Sequence, residues 1–178
     1  MKTFEELGVS EEIRRAIEEL GFVHPMPVQE EVIPYLLGNR NDVIALAQTG
    51  TGKTAAFGIP VLQRIDPSSK ETQALVLSPT RELCLQIADD LRDFSKHMEG
   101  IHIVAVYGGA SIENQIRQLR HGAQIIVATP GRLIDLMHRG KANLEKVYNV
   151  VLDEADEMLN MGFSESINEI FEGVPQDR

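Results

Sequence analysis

The segment Ala47-Gln48-Thr49-Gly50-Thr51-Gly52-Lys53-Thr54 sets two glycines, a lysine and a threonine side by side. Glycines at 50 and 52 free backbone N–H groups to curl around phosphate oxygens, an approach that side chains there would block. Lys53 can reach β- and γ-phosphates, and the Thr54 hydroxyl can ligate Mg2+. A helix beginning there would turn its N-terminal dipole on the same anion. A second segment, Val150–Asp156 (VVLDEAD), ends an apolar run in acids. Asp153 can hold Mg2+, largely through water, and Glu154 can orient and deprotonate an attacking water. Taken alone, such an acid cluster reads as a solvated helix start. A phosphate loop about 100 residues upstream gives it chemistry.

These groups need a scaffold. Short apolar runs occur at Val43–Ala47, Ala74–Leu77, Ile101–Val106, Ile125–Ala128 and Val150–Leu152. They lack polar alternation, as strands buried on both faces do. Amphipathic segments separate them. Leu83, Ile87, Ala88, Leu91, Phe94 and Met98 form one helical stripe, and Ile112, Ile116 and Leu119 another. Thr129 and Pro130 predict an N-cap and first-turn proline for a helix through Met137, which Gly140 can end. Ser10 before Glu11-Glu12 starts an N-terminal helix. Strand–helix alternation implies an α/β fold, a parallel sheet covered by helices on both faces. Asp66–Thr72 reads as a loop.

Composition bounds the partners. The 178 residues fit one domain, and 43% hydrophobic content is enough for a sizeable core. One cysteine, Cys84, excludes a disulfide framework and reads as a small buried hydrophobe rather than a nucleophile. No apolar run is long enough to span a bilayer, and the acidic N-terminus lacks a signal-peptide core. The cytoplasm is the simplest compartment. The net charge of −10 opposes nucleic-acid binding in bulk. Locally the charge is segregated. Asn114–Lys141 carries Arg117, Arg120, Arg132, Arg139 and Lys141 against Asp135 alone, whereas Asp153–Glu172 holds seven acids and no Lys or Arg.

Together AQTGTGKT and DEAD resemble motifs I and II of the DEAD-box RNA helicases, which favour alanine at position 47, where the general phosphate-loop pattern has glycine. Gly21–Gln29 (GFVHPMPVQ) resembles that family's Q motif. There the glutamine, here Gln29, reads the adenine edge, and an aromatic 17 residues before the motif, here Phe4, stacks on the base. An amide offers one donor and one acceptor, matching adenine N6 and N7. Phe22 belongs to the same motif. Met26 replaces the family's usual Ser or Thr, so a hydroxyl contact to the Q-motif loop or the P-loop is lost. Pro79–Gln86 (PTRELCLQ) resembles motif Ia, Tyr107-Gly108-Gly109 the GG motif, and Thr129-Pro130-Gly131-Arg132 motif Ib.

The resemblance implies the first RecA-like domain of such a helicase. Residues 1–30 would form an N-terminal helix and Q motif, and residues 31–178 the ATP-binding domain. ATP would engage Phe4, Phe22, Gln29 and Ala47–Thr54, with Lys53, Asp153 and Glu154 catalytic and Thr54 and Asp153 on Mg2+. RNA backbone would meet Pro79, Thr80, Arg81, Gly108, Gly109 and Thr129–Arg132. Helix N-termini, hydroxyls and glycine amides bind phosphate without reading bases. Asp156 would link the site to motif III. Met158, Leu159, Met161 and Phe163 read as packing residues. Motif III and a second RecA-like domain, with arginine fingers that can be worth ~10³–10⁵ in rate, are not in the sequence. Residues 1–178 alone are therefore expected to turn over ATP negligibly. They should be monomeric unless a missing central strand invites swapping. A DNA-directed translocase and a nucleotide-gated RNA clamp are the competing functions.

Overall fold

The computed structural model describes residues 2–38 and 50–176, with the side chain of Thr51 outside the description. The elements run α1 (Glu11–Glu19), α2 (Pro27–Gly38), α3 (Thr51–Gln63), β1 (Ala74–Leu77), α4 (Arg81–Phe94), β2 (Ile103–Val106), α5 (Ile112–Arg120), β3 (Ile125–Ala128), α6 (Pro130–His138), β4 (Asn149–Leu152), α7 (Ala155–Asn160) and α8 (Ser164–Glu172). The apolar run Val43–Ala47 lies outside the described residues. Two compact units emerge, Met1–Ile65 with Asp89–Gly100, and Asp66–Ala88 with Ile101–Arg178.

The described residues of the first unit form helices and the loops between them. α1 turns Ile13, Ala16 and Ile17 inward and leaves its acids in water. Ile33, Ile59, Leu62, Leu91 and Phe94 of the same unit are likewise nearly inaccessible. Ser10 starts α1, but its side chain makes no cap hydrogen bond. Its N–H instead donates to Gln63 Oε1 at 2.9 Å.

The second unit is a four-stranded parallel sheet in the order β2-β3-β1-β4. β1, β2 and β3 are buried throughout, as their unbroken apolar sequences require. β4 departs from the expectation of burial on both faces. It ends the row of described strands, and its residues are only partly covered. Leu75, Leu77, Val104, Ile126, Leu133 and Ile170 lie in one core cluster. Ile112, Ile116 and Leu119 pack against it as the stripe on α5 predicts. On α4, Cys84 is buried where the predicted stripe had Leu83, which is half-covered. Met98 lies beyond the end of that helix.

Two glutamines anchor the loops that enter the strands. Gln73 Oε1 accepts from the Asp66 N–H and the Tyr148 hydroxyl, and its Nε2 donates to the Asp66 carbonyl. Gln124 Oε1 accepts from the His102 N–H, and its Nε2 donates to the Ser69 carbonyl. Each buried amide thereby satisfies backbone groups that a loop would otherwise leave open.

Candidate nucleotide and RNA-binding loops

Because all four strands of the second unit are parallel, their C-terminal ends share one edge. The register aligns Val106, Ala128, Leu77 and Leu152 across the sheet. The ladder continues one step further. Thr129 N–H donates to the Val106 carbonyl at 3.0 Å, Ser78 N–H to Ala128 at 3.0 Å, and Asp153 N–H to Leu77 at 2.8 Å. The four loops singled out from the sequence therefore leave neighbouring strands, spaced by roughly 4.8 Å. One row holds the acidic turn, the PTREL turn, the TPGR turn and the GG turn.

Asp153 is buried at the end of β4. Glu154 follows with φ 55° and ψ 48°, the sole non-glycine residue with positive φ among those described. A left-handed conformation costs an ordinary side chain roughly 1–2 kcal/mol. Such strain concentrates where a side chain must be aimed. Asp156 is exposed in the first turn of α7. Beyond it, Met158 is buried and Phe163 packs against the core, but Leu159 and Met161 are exposed, against expectation. α7 is only six residues long and buries one face.

The PTREL turn caps its own helix: the Thr80 hydroxyl accepts from the Leu83 N–H at 3.2 Å. The Arg81 guanidinium lies 5.1 Å from the centre of the Tyr107 ring. This cation–π contact joins motif Ia to the GG turn. In the TPGR turn Pro130 opens α6 as expected, although Thr129 makes no side-chain cap hydrogen bond. Arg132 Nη1 donates to the Ala110 carbonyl at 3.2 Å and to Gln115 Oε1 at 2.9 Å. Gln115 Nε2 in turn donates to the Tyr107 carbonyl at 3.1 Å. Gln115 was not singled out from the sequence. It is buried, and with Arg132 it braces the backbone on both sides of Gly108-Gly109. Arg132 is thus a strut of the GG turn as well as a local positive charge.

In the first unit, Gly50 sits at φ 135° as the N-cap of α3, so Lys53 and Thr54 occupy the first turn of that helix. The N–H groups and dipole of a helix N-terminus favour anions in general. Thr54 is buried, and its hydroxyl donates to the Gly50 carbonyl at 3.3 Å, which leaves its oxygen lone pairs for a cation. Ala47, Gln48 and Thr49 lie outside the described residues. Gln29 is buried at 1% exposure. Its Oε1 accepts from the Met26 N–H at 2.9 Å, and its Nε2 donates to the Gly52 carbonyl at 3.0 Å. One donor and one lone-pair site remain on the amide. Gly52 has a second reason to lack a side chain: the Met26 sulfur occupies the space its β-carbon would need. The lost hydroxyl at position 26 is thus replaced by a thioether contact to the same loop.

Phe4 is 6% exposed, its ring centre 6.5 Å from that of Phe22, which lies 6.1 Å from Phe94. In this arrangement Phe4 is a core residue with little open face. Gln29→Glu is expected to set a carboxylate oxygen against the Gly52 carbonyl and cost about 1–3 kcal/mol. A thermal melt checks this, and an unchanged midpoint would show that the bridge carries no stability.

Burial pushes the Cys84 thiol up to about 12, and the negative charge of Asp153 adds to the shift. Cys84 is therefore a neutral packing group, not a nucleophile. Native protein at pH 8 should resist a thiol alkylating reagent that modifies the unfolded chain within minutes. The raised value also makes the fold lose stability as pH climbs above the unfolded thiol's ~8.5.

Among the described residues no group of three or more His, Cys, Asp or Glu could hold a metal. Mg2+ keeps several waters and takes phosphate oxygens, so it asks for few protein ligands, and the Thr54 hydroxyl in the first unit and the Asp153 carboxylate in the second are each oxygen donors of the type it takes. No helix of the described chain is long and apolar enough to cross a membrane.

A parallel α/β sheet with its loops on one edge, and a glycine-capped helix carrying Lys-Thr in its first turn, define a P-loop nucleotide-binding domain of the RecA-like kind. The DEAD/DEAH box helicase family model matches residues 26–178, and the chain belongs to that family. It is 52% identical over 174 residues to the ATP-dependent RNA helicase DeaD of Escherichia coli (strain K12), covering 98% of this chain and 28% of that protein. It is 50% identical over 178 residues to the DEAD-box ATP-dependent RNA helicase CshA of Geobacillus kaustophilus, covering all of this chain and 38% of the relative. The crystal structure of a DEAD box protein from the hyperthermophile Methanococcus jannaschii superposes with a TM-score of 0.92 at 41% identity, over 99% of this chain and 48% of that one. The chain thus spans 28% and 38% of the two helicases and 48% of the solved structure.

Proposed function

We propose that this chain is the ATP- and RNA-binding first domain of an ATP-dependent RNA helicase that separates short duplexes or remodels RNA–protein complexes. The observation that carries the proposal is the shared edge, with the acidic, PTREL, TPGR and GG turns in one row. Gln29 selects adenine with its remaining donor and acceptor, and the Phe4–Phe22 pair supplies the apolar contact. For stacking, the residues covering Phe4 must give way. Backbone N–H groups at Gly50–Thr54 hold the phosphates, and Lys53 neutralises their charge. Mg2+, when bound, neutralises the phosphates and would be held by Thr54 and, through water, Asp153. Glu154 takes a proton from the attacking water, its carboxylate aimed by the left-handed backbone.

RNA meets the PTREL, GG and TPGR turns through its phosphates, so binding carries no base code. The local cations answer the objection that the chain carries a net charge of −10. A second RecA-like domain in cis, joined through Asp156 and motif III, would complete the hydrolytic site. Residues 1–178 alone remain proposed to be inactive in turnover and unwinding. The test is strand displacement of a short RNA duplex by the full-length protein, with ATP and with a non-hydrolysable analogue. ATP-dependent displacement supports a helicase. Retention on single strands without displacement would replace it with the clamp.

A further inference from the structure

Met26 stands at the meeting of the Q-motif loop and the first turn of α3, and it is 51% exposed. Two contacts of its own and one between their partners hold it there. Its N–H donates to Gln29 Oε1, Gln29 Nε2 donates to the Gly52 carbonyl, and its own sulfur fills the space over Gly52. The arrangement is a closed triangle of one thioether, one amide and one backbone segment. Its weak point is chemical. A thioether is apolar and oxidisable, and the residue that carries this one is half exposed.

We propose that Met26 is an oxidation site through which peroxide weakens ATP binding. The proposal rests on the reading of the α3 N-terminus as the nucleotide site. The sulfur donates an electron pair to one oxygen of hydrogen peroxide, the O–O bond breaks, and the other oxygen leaves as water with both protons. Sulfur loses two electrons and peroxide gains them. The product carries a strongly accepting oxygen on an atom packed against Gly52. The Gly52 carbonyl beside it already takes a Gln29 amide proton. Two outcomes are open to the sulfoxide. It captures the Gln29 Nε2–H and draws the amide away from Gly52, or it turns outward into water and abandons the glycine. Both loosen the Q-motif loop from the helix end that holds phosphate, and both displace the amide that reads adenine. Reduction of the sulfoxide restores the starting side chain, so the change is reversible. A serine or threonine at position 26 could not be switched this way.

The test uses the full-length protein and hydrogen peroxide. Peptide mass analysis gives the fraction of Met26 carrying an added oxygen, and titration with a fluorescent ATP analogue gives affinity. Affinity should fall about tenfold, in step with that fraction, as expected for the loss of a buried polar contact. A methionine sulfoxide reductase should restore it. Met26→Leu sets its own baseline, which peroxide should not move. Met161→Leu removes another exposed methionine and should leave the shift intact. Full oxidation of Met26 with unmoved affinity, or an equal shift in Met26→Leu, would overturn the proposal. Failure of the untreated protein to bind the analogue would instead sink the nucleotide-site reading, and the oxidation switch with it.

Discussion

Glu154→Gln is expected to lower RNA-stimulated ATP turnover by about a thousandfold, within the ~10²–10⁴ that a positioned general base supplies. The amide keeps the shape of the carboxylate and removes its basicity. Nucleotide affinity should therefore hold, and the protein should accumulate on RNA with ATP bound. The backbone offers a control. Glu154 occupies a left-handed conformation that glycine adopts freely. Glu154→Gly should likewise abolish turnover, yet raise the thermal midpoint by about 2–4 °C, equivalent to roughly 1 kcal/mol in a domain of this size. Gain of stability with loss of activity would show that the strain serves to aim the side chain. Undiminished turnover in Glu154→Gln would remove Glu154 from the chemistry.

Arg132→Ala should weaken RNA binding by about 10–100-fold, the cost of removing charge-assisted hydrogen bonds, while ATP affinity stays unchanged. Two bonds disappear, to the Ala110 carbonyl and to Gln115 Oε1, and the turn between them carries Gly108-Gly109. Arg132→Lys distinguishes strut from charge. Lysine keeps the charge but lacks the planar fork, so a strut predicts poor rescue. Full rescue by lysine, with an unaltered salt slope, would mean that Arg132 acts only as a cation facing phosphate. Fluorescence anisotropy with a labelled single strand, at two salt concentrations, measures both.

The glycine–lysine–threonine segment and the acidic turn stood out in the sequence because few residue types suit the work proposed for them. A phosphate cradle needs glycine and a terminal cation, and a metal-linked base needs carboxylates at a strand end. The apolar runs at β1, β2 and β3 were legible for the same reason: a strand buried on both faces leaves no room for polar alternation. The bracing network was not. Gln115 is one polar residue on an amphipathic helix, and nothing in its neighbours marks it as buried against the Tyr107 carbonyl. Gln73 and Gln124 were hidden likewise, because an amide's partners are backbone groups far away in sequence. Leu159 and Met161 misled by composition. Their apolar side chains follow a buried methionine, but the short helix leaves them in water. At Met26 the sequence showed only what was missing. That its sulfur fills the space above Gly52 is a tertiary contact that no local sequence pattern marks.

The central claim is that one sheet edge joins an ATP-hydrolysing turn to turns that grip RNA backbone. Steady-state ATP hydrolysis by the full-length protein tests it most directly, measured without nucleic acid, with single-stranded RNA, and with DNA of the same sequence. Stimulation by RNA and not by DNA is the predicted result. Equal stimulation by DNA would contradict it in favour of a DNA-directed translocase, and a rate unmoved by either would break the link between the acidic turn and the three backbone-binding turns.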